Sequence, residues 1–329
     1  MSEKLKPLNT IGRYFRKKFG QSVYKIPISI SGFTCPNIDG TVAKGGCTFC
    51  ENDSFSPNLA KNSKKFKLHP TMNENPYLTQ QIQQLKMQYY ATKTRLEKKF
   101  GAKQFIVYFQ SFTNTYAPIN TLKTLYSEAL LLDDVVGLSV GTRSDCVNEE
   151  ILEYLQQLSH QTNPNSNQAN EIWVEYGIQT IYDTTLEKIN RGHDYQNVKE
   201  WIKKTKEYGL LVCGHIIFGL PDETKEMMLN TIKETIKLNI DSIKIHPLYV
   251  TNNTLLALEY KNGEFDPINE EDYIELLIET LKILPKNITI QRLTAGINNA
   301  SLVAPQWCND KHTQMANIKK ALQKANISY

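Results

Sequence analysis

The chain has 329 residues, of which 40% are hydrophobic and 22% charged, with a net charge of +4 and a pI near 8.5. This is ordinary for a soluble globular protein, and the length fits one large α/β domain or one domain with an appendage. The charge is too mild to prove a nucleic-acid partner, and no apolar run approaches the ~20 residues that span a membrane.

The N-terminus lacks the apolar core of a signal peptide. The expected compartment is therefore the cytoplasm, where the six cysteines are expected as free thiols or metal ligands rather than disulfides.

In chain order, residues 9–19 read as a short basic amphipathic helix ended by Gly20. Residues 24–33 read as a strand, 34–53 as a Gly- and Cys-bearing loop, and the Lys-rich stretch to 70 as a surface excursion. Leu78, Ile82, Leu85 and Tyr89 fall at helical spacing, so 76–99 is a helix. Strands at 105–109, 135–141, 171–179, 210–219 and 241–250 then alternate with helices at 118–132, 147–159, 183–190, 195–208 and 222–239. An Asn-rich loop, 162–170, interrupts them. The tail offers a helix (269–284), a short strand (287–292) and a terminal helix (310–326).

Strands alternating with helices imply a parallel sheet with right-handed crossovers. Six such units predict a partial (β/α)6 TIM-type barrel, because a closed barrel needs eight. The expected division is a barrel over 1–250 and a C-terminal α/β extension over 251–329 that packs on the open side.

The chemistry is concentrated in CPNIDGTVAKGGCTFC. Cys35 lies twelve positions before Cys47, and Cys47 lies three before Cys50. A C-x-x-C pair lets two thiolates reach one metal or cluster, and a third from the same loop closes three corners of a cubane. Such a [4Fe–4S] cluster keeps one iron open for a chelating ligand. The loop by itself leaves zinc as a rival, with His69 or Cys146 as a conceivable fourth ligand.

A cysteine triad placed directly after the first strand of a βα series, and ending C-x-aromatic-C, resembles the radical S-adenosylmethionine (SAM) superfamily. The eleven residues between Cys35 and Cys47, with D-G-T and G-G-C-x-F-C between and around them, resemble the branch holding the Elongator catalytic subunit and the YhcC/YtqA-like proteins. The likeness runs from GFTCPNIDGTVAKGGCTFC to IQRLTAGINNASLVAPQW. It implies a [4Fe–4S] cluster on Cys35, Cys47 and Cys50, and SAM on the open iron. It further implies reductive cleavage of SAM to a 5′-deoxyadenosyl radical, fed by a ferredoxin or flavodoxin.

The same resemblance assigns contacts to strand ends, where ligands of parallel β/α folds sit. Gln110 and Ser111 stand where relatives hold the SAM amine through a Gly-Gly-Glu-like stretch that this chain lacks. Gly141 stands in place of a ribose-binding Glu, and Arg143 and Asp145 follow it. Gln179 matches a ribose contact and Arg191 a carboxylate contact, twelve residues apart. His215 faces ribose or substrate, or is a satisfied core histidine. Phe49 lies against the adenine. Cys146, Cys213 and Cys308 are read as structural thiols.

The Elongator-like resemblance implies tRNA as substrate, at C5 of a wobble uridine. Basic runs at Lys4, Lys6, Arg13, Arg16, Lys17 and Lys18 and at Lys61, Lys64, Lys65 and Lys67 agree with phosphate contacts beside a substrate mouth. Solvated Lys-rich faces explain the same runs. A small-molecule substrate such as a porphyrinogen, or a non-catalytic iron–sulfur or zinc protein, are the other readings. The chain is too short for the acetyltransferase domain of the Elongator subunit.

Overall fold

The computed structural model describes residues 6–51, 66–297 and 300–329. Lys4, Lys61, Lys64 and Lys65 of the basic runs lie outside these.

Seven parallel strands form one curled sheet, and their order in it follows the chain. They are β2 (Val23–Ile28), β3 (Gln104–Phe109), β4 (Val135–Thr142), β5 (Glu171–Gln179), β6 (Leu211–Phe218), β7 (Ser242–Pro247) and β9 (Thr289–Arg292). The partial barrel is as expected, but it has one more strand than the six anticipated. The extra strand is β9, which the sequence had placed in the tail. Its Thr289 and Ile290 pair with Ser242 and Ile243 of β7. The N-terminal segment covers its other edge, where Ile290 N–H donates to Asn9 O at 2.7 Å.

The outer layer is helical: α1 (Ile11–Phe19), α2 (Leu78–Phe100), α3 (Ile119–Leu130), α4 (Glu149–His160), α5 (Asp183–Lys188), α6 (Tyr195–Glu207), α7 (Lys225–Lys237), α8 (Leu255–Lys261), α9 (Glu270–Ile283) and α10 (Lys311–Lys324). Their starts carry the expected chemistry. Asn148, Asp194, Thr224, Asn269 and Asp310 each accept a backbone N–H as N-caps. The strand expected at 241–250 is split: β7 stops at Pro247, and β8 (Val250–Thr251) turns away to pair antiparallel with β10 (Leu302–Ala304). At the termini, β1 (Lys6–Pro7) and β11 (Ile327–Ser328) pair in parallel.

The barrel interior is layered. At the N-terminal ends of the strands, Phe15 of α1 packs on Val23, Ile106, Val136, Trp173 and Cys213. This apolar plug closes that end. The basic helix therefore sits opposite the cysteine loop, not beside a substrate mouth. Its cations are partly used in place: Lys18 pairs with buried Glu171, and Arg13 donates to Leu8 O at 2.5 Å. Above the plug, the middle layer is polar, built from Lys25, Tyr108, Ser139, Glu175, His215 and Lys244.

Candidate active site

The cysteine loop lies at the carboxyl ends of the strands and is tied down at several points. Asn190 donates to Lys44 O (2.9 Å) and Gly46 O (2.7 Å), Thr48 N–H donates to Ile189 O (3.1 Å), and Leu256 N–H donates to Thr48 O (3.0 Å). The β5–α5 connection and α8 thus fix the loop's path. Gly40, Gly45 and Gly46 take positive φ of 93°, 87° and 79°, which a Cβ would strain.

Cys35, Cys47 and Cys50 open on one cavity of about 440 Å³, within the usual range of small-molecule sites. Protein donors surround the sulfurs. Thr113 Oγ1 donates to Cys35 Sγ at 3.0 Å, Asn37 Nδ2 to Cys47 Sγ at 3.3 Å, and an Arg191 nitrogen approaches Cys47 Sγ at 3.8 Å. Burial pushes the Cys35 thiol up, and burial with the neighbouring Cys47 and Cys35 pushes Cys50 up. Sulfurs gathered on one loop and facing hydrogen-bond donors suit a metal cluster, which deprotonates its thiol ligands outright.

Arg191 is held from below. Its Nη2 donates to Gly177 O at 2.8 Å, while Nε is buried with no partner among the described residues. An orphaned guanidinium N–H in a cavity is a ready receptor for a carboxylate. Gly177 makes the approach possible: a Cβ there would stand 2.8 Å from Arg191 Nη2 and 2.6 Å from Gln179 Nε2. Gln179 itself has a left-handed φ of 68°, as does Phe112 at 65°. Both line the cavity, and such strain in non-glycine residues gathers at functional sites.

The other anticipated residues divide. Phe49 and Gln110 line the cavity, with Phe49 packed on the apolar cluster of Leu186, Ile189, Ile217 and Leu248. Ser111 does not line it; its hydroxyl lies 2.5 Å from Ser29 Oγ within the protein. Thr113, two residues on, reaches the site instead. Arg143 and Asp145 form a two-point pair at 2.8 and 2.7 Å. His69 is bonded to Thr71 at 2.7 Å, and neither it nor Cys146 lines the cavity. Of the three thiols read as structural, Cys213 and Cys308 are buried, while Cys146 is only partly so.

His215 lines the cavity, but its Nε2 lies 2.7 Å from Glu175 Oε2. Glu175 is the hub of the middle layer: Lys25 donates to Oε1 at 2.6 Å, Ser139 shares Oε1, and Lys244 pairs with Oε2. Burial opposes ionisation of Glu175, but Lys244 and Lys25 outweigh it and hold the carboxyl well below its usual range. Burial, then Lys244, lowers His215 to about 4, and burial lowers Lys244 to about 8. Glu175, Cys213 and His215 are close enough to share an ion. Two lysines already occupy that carboxylate, so the group is an ion-pair network rather than a divalent-cation site. Sequence reasoning missed Glu175, Lys25 and Lys244, since charged residues inside strands carry no local signal of mutual contact.

The Radical SAM superfamily profile matches residues 40–235, and that of the Radical_SAM C-terminal domain matches 240–324.

The chain belongs to the radical SAM superfamily.

The superfamily's cofactors are a [4Fe–4S] cluster and SAM, and the cysteines, Arg191 and the cavity fit both. YtqA of Bacillus subtilis is 35% identical over 97% of this chain and 90% of its own length. A tRNA uridine(34) acetyltransferase of Methanocaldococcus jannaschii is 31% identical over 49% of this chain and 28% of its own. Among solved structures, the archaeal Elp3 of Methanocaldococcus infernus with an N-terminal deletion superposes with a TM-score of 0.60 at 21% identity, covering 93% of this chain and 63% of that one. That likeness concerns the fold. No helix among the described residues is long and apolar enough to cross a membrane.

Proposed function

We propose that this radical SAM chain cleaves SAM reductively and uses the radical to modify the side chain of a tRNA wobble uridine. The observation that carries the first half is the meeting of Cys35, Cys47 and Cys50 with Gln179 and Arg191 around one cavity.

In this reading the three thiolates hold the cluster. When bound, the cluster and SAM supply the one-electron chemistry that removes a hydrogen atom from substrate. The protein's own part is to bind, orient and exclude water. Thr113 and Asn37 stabilise charge on the sulfurs. Arg191, anchored on Gly177, receives the SAM carboxylate. Gln110 takes the amine, Gln179 the ribose, and Phe49 with its apolar neighbours flanks the adenine. His215, engaged by Glu175, stands at the edge of the ribose and substrate region. The plug under Phe15 keeps the N-terminal end of the barrel dry. Electrons come from a ferredoxin or flavodoxin.

The tRNA half rests on the similarity of about half the chain to tRNA uridine(34) acetyltransferases. The basic α1 does not support it, being at the wrong end of the barrel. Two measurements separate the halves. Reconstituted, reduced protein should form 5′-deoxyadenosine and methionine from SAM, and absence of both sinks the radical reading. Nucleoside mass spectrometry of tRNA from a deletion strain should show an altered wobble uridine, and an unchanged profile sinks the tRNA reading.

A further inference from the structure

We propose that Arg292 and Lys311 form a subsite for an anionic group of the substrate, a carboxylate or a phosphate, on the β7–β9 side of the cavity. The proposal deepens the function above and rests on its placement of SAM beside Arg191.

The sheet register builds the subsite. Gly177, His215, Lys244 and Arg292 are successive Cα partners across β5, β6, β7 and β9. All four line the cavity, together with Lys311, the first residue of α10. The row leads from Gly177, under Arg191, to a cation-rich corner.

Charge there is not balanced. Lys25 and Lys244 share a single carboxylate, Glu175. Arg292 and Lys311 then add two positive charges, and neither takes part in an ion pair among the described residues, where the charge acting on Lys311 is that of Arg292. Asp310 is adjacent in sequence, but its oxygens are used on His312 N–H (2.8 Å) and Thr313 Oγ1 (2.6 Å). The surroundings register the imbalance. Burial, then Arg292, lowers the Lys311 ammonium below its ordinary value. Burial, then Arg292, His215, Lys244 and Lys311, hold His246 well below its own, so the ring stays neutral.

Like charges brought together in a partly desolvated cavity are costly unless an anion joins them. The planar guanidinium fork of Arg292 matches a two-oxygen anion, and the Lys311 ammonium adds a point charge. Arg191 lies near Cys47, toward β5, so a SAM carboxylate held there leaves the Arg292 corner for another molecule.

The test uses the full chain with its cluster reconstituted, with and without SAM. The melting temperature is read in acetate or inorganic phosphate against chloride at equal ionic strength. Saturating anion should raise it by about 2–4 °C. Acetate acting at lower concentration would assign a carboxylate, and phosphate acting at lower concentration a phosphate. Arg292→Met and Lys311→Met should lose the shift while SAM affinity stays within about twofold, and Arg292→Lys should keep part of it. No anion-specific shift in the parent protein, or an equal shift in the variants, overturns the proposal. So does a loss of SAM affinity in Arg292→Met as large as that in Arg191→Met, because the pair would then serve SAM. Failure of the parent protein to bind SAM sinks the cofactor placement instead, and the SAM-free anion arm then decides this subsite by itself.

Discussion

One nitrogen of the Arg191 guanidinium stands 3.8 Å from the Cys47 sulfur, while another donates to the carbonyl of Gly177 at 2.8 Å. The side chain is thereby aimed before any ligand arrives. Its Nε has no partner among the described residues.

Removal of that charge should weaken SAM binding specifically. A hydrogen bond to a charged group contributes about 1.5–3 kcal/mol, so Arg191→Met should cost about 10- to 150-fold in SAM affinity. The iron content and the visible absorbance of the cluster should be retained. Gly177→Ala should act in the same direction, because its Cβ would collide with Arg191 Nη2 and Gln179 Nε2. Equilibrium SAM binding to both variants, alongside iron analysis, checks this. An unchanged affinity in both refutes the assignment.

Glu175 is buried and pairs with two lysines, the buried Lys244 and the half-buried Lys25. Breaking a buried ion pair from one side strands the remaining charge and costs about 3–5 kcal/mol. Glu175→Ala should destabilise the apo protein by that order, and Lys244→Met should cost less, since Lys25 still satisfies the carboxylate. Urea denaturation monitored by circular dichroism measures the difference.

The two histidines that line the cavity, His215 and His246, set an acid limit. His215 is lowered to about 4 and His246 well below its ordinary value, both first by burial. Each is neutral when folded but accepts a proton near pH 6.5 when unfolded. Their contribution is complete above pH 6.5 and is lost as pH falls from there towards 4, because the unfolded chain binds more protons throughout that window. Stability of the apo protein should therefore decline between pH 6.5 and 4. His215→Gln, which keeps a donor toward Glu175, should flatten that decline in a pH series of melting temperatures.

Phe15 of α1 is 1% exposed and plugs the barrel among Ile106, Val136 and Trp173. Phe15→Ala should cost about 3–5 kcal/mol through lost burial and a residual cavity. Arg16→Ala and Lys17→Ala, on the same helix, should leave tRNA affinity within about twofold, as they lie far from the cysteine loop. Denaturation and filter-binding titrations report each result. A large loss of tRNA binding in either basic variant would mean that the RNA reaches around to the plugged end.

Local patterns were legible because their causes are local. Alternating apolar runs and helical periodicity placed β2 to β7 and most helices within a few residues. Cys35, Cys47 and Cys50 announced a metal loop, since three thiols on one short loop can reach one cluster without help from the fold. The tertiary structure decided what depends on register and direction. It gave β9 to the barrel, a step no four-residue strand reveals by itself. It turned Ser111 inward and brought Thr113 to the sulfur. It sent the basic helix to the plugged end. It also gathered Lys25, Glu175, Lys244 and Arg292 from four separate strands. Charges that far apart in sequence meet only when the sheet curls, because curvature alone converges the inward-facing side chains of distant strands.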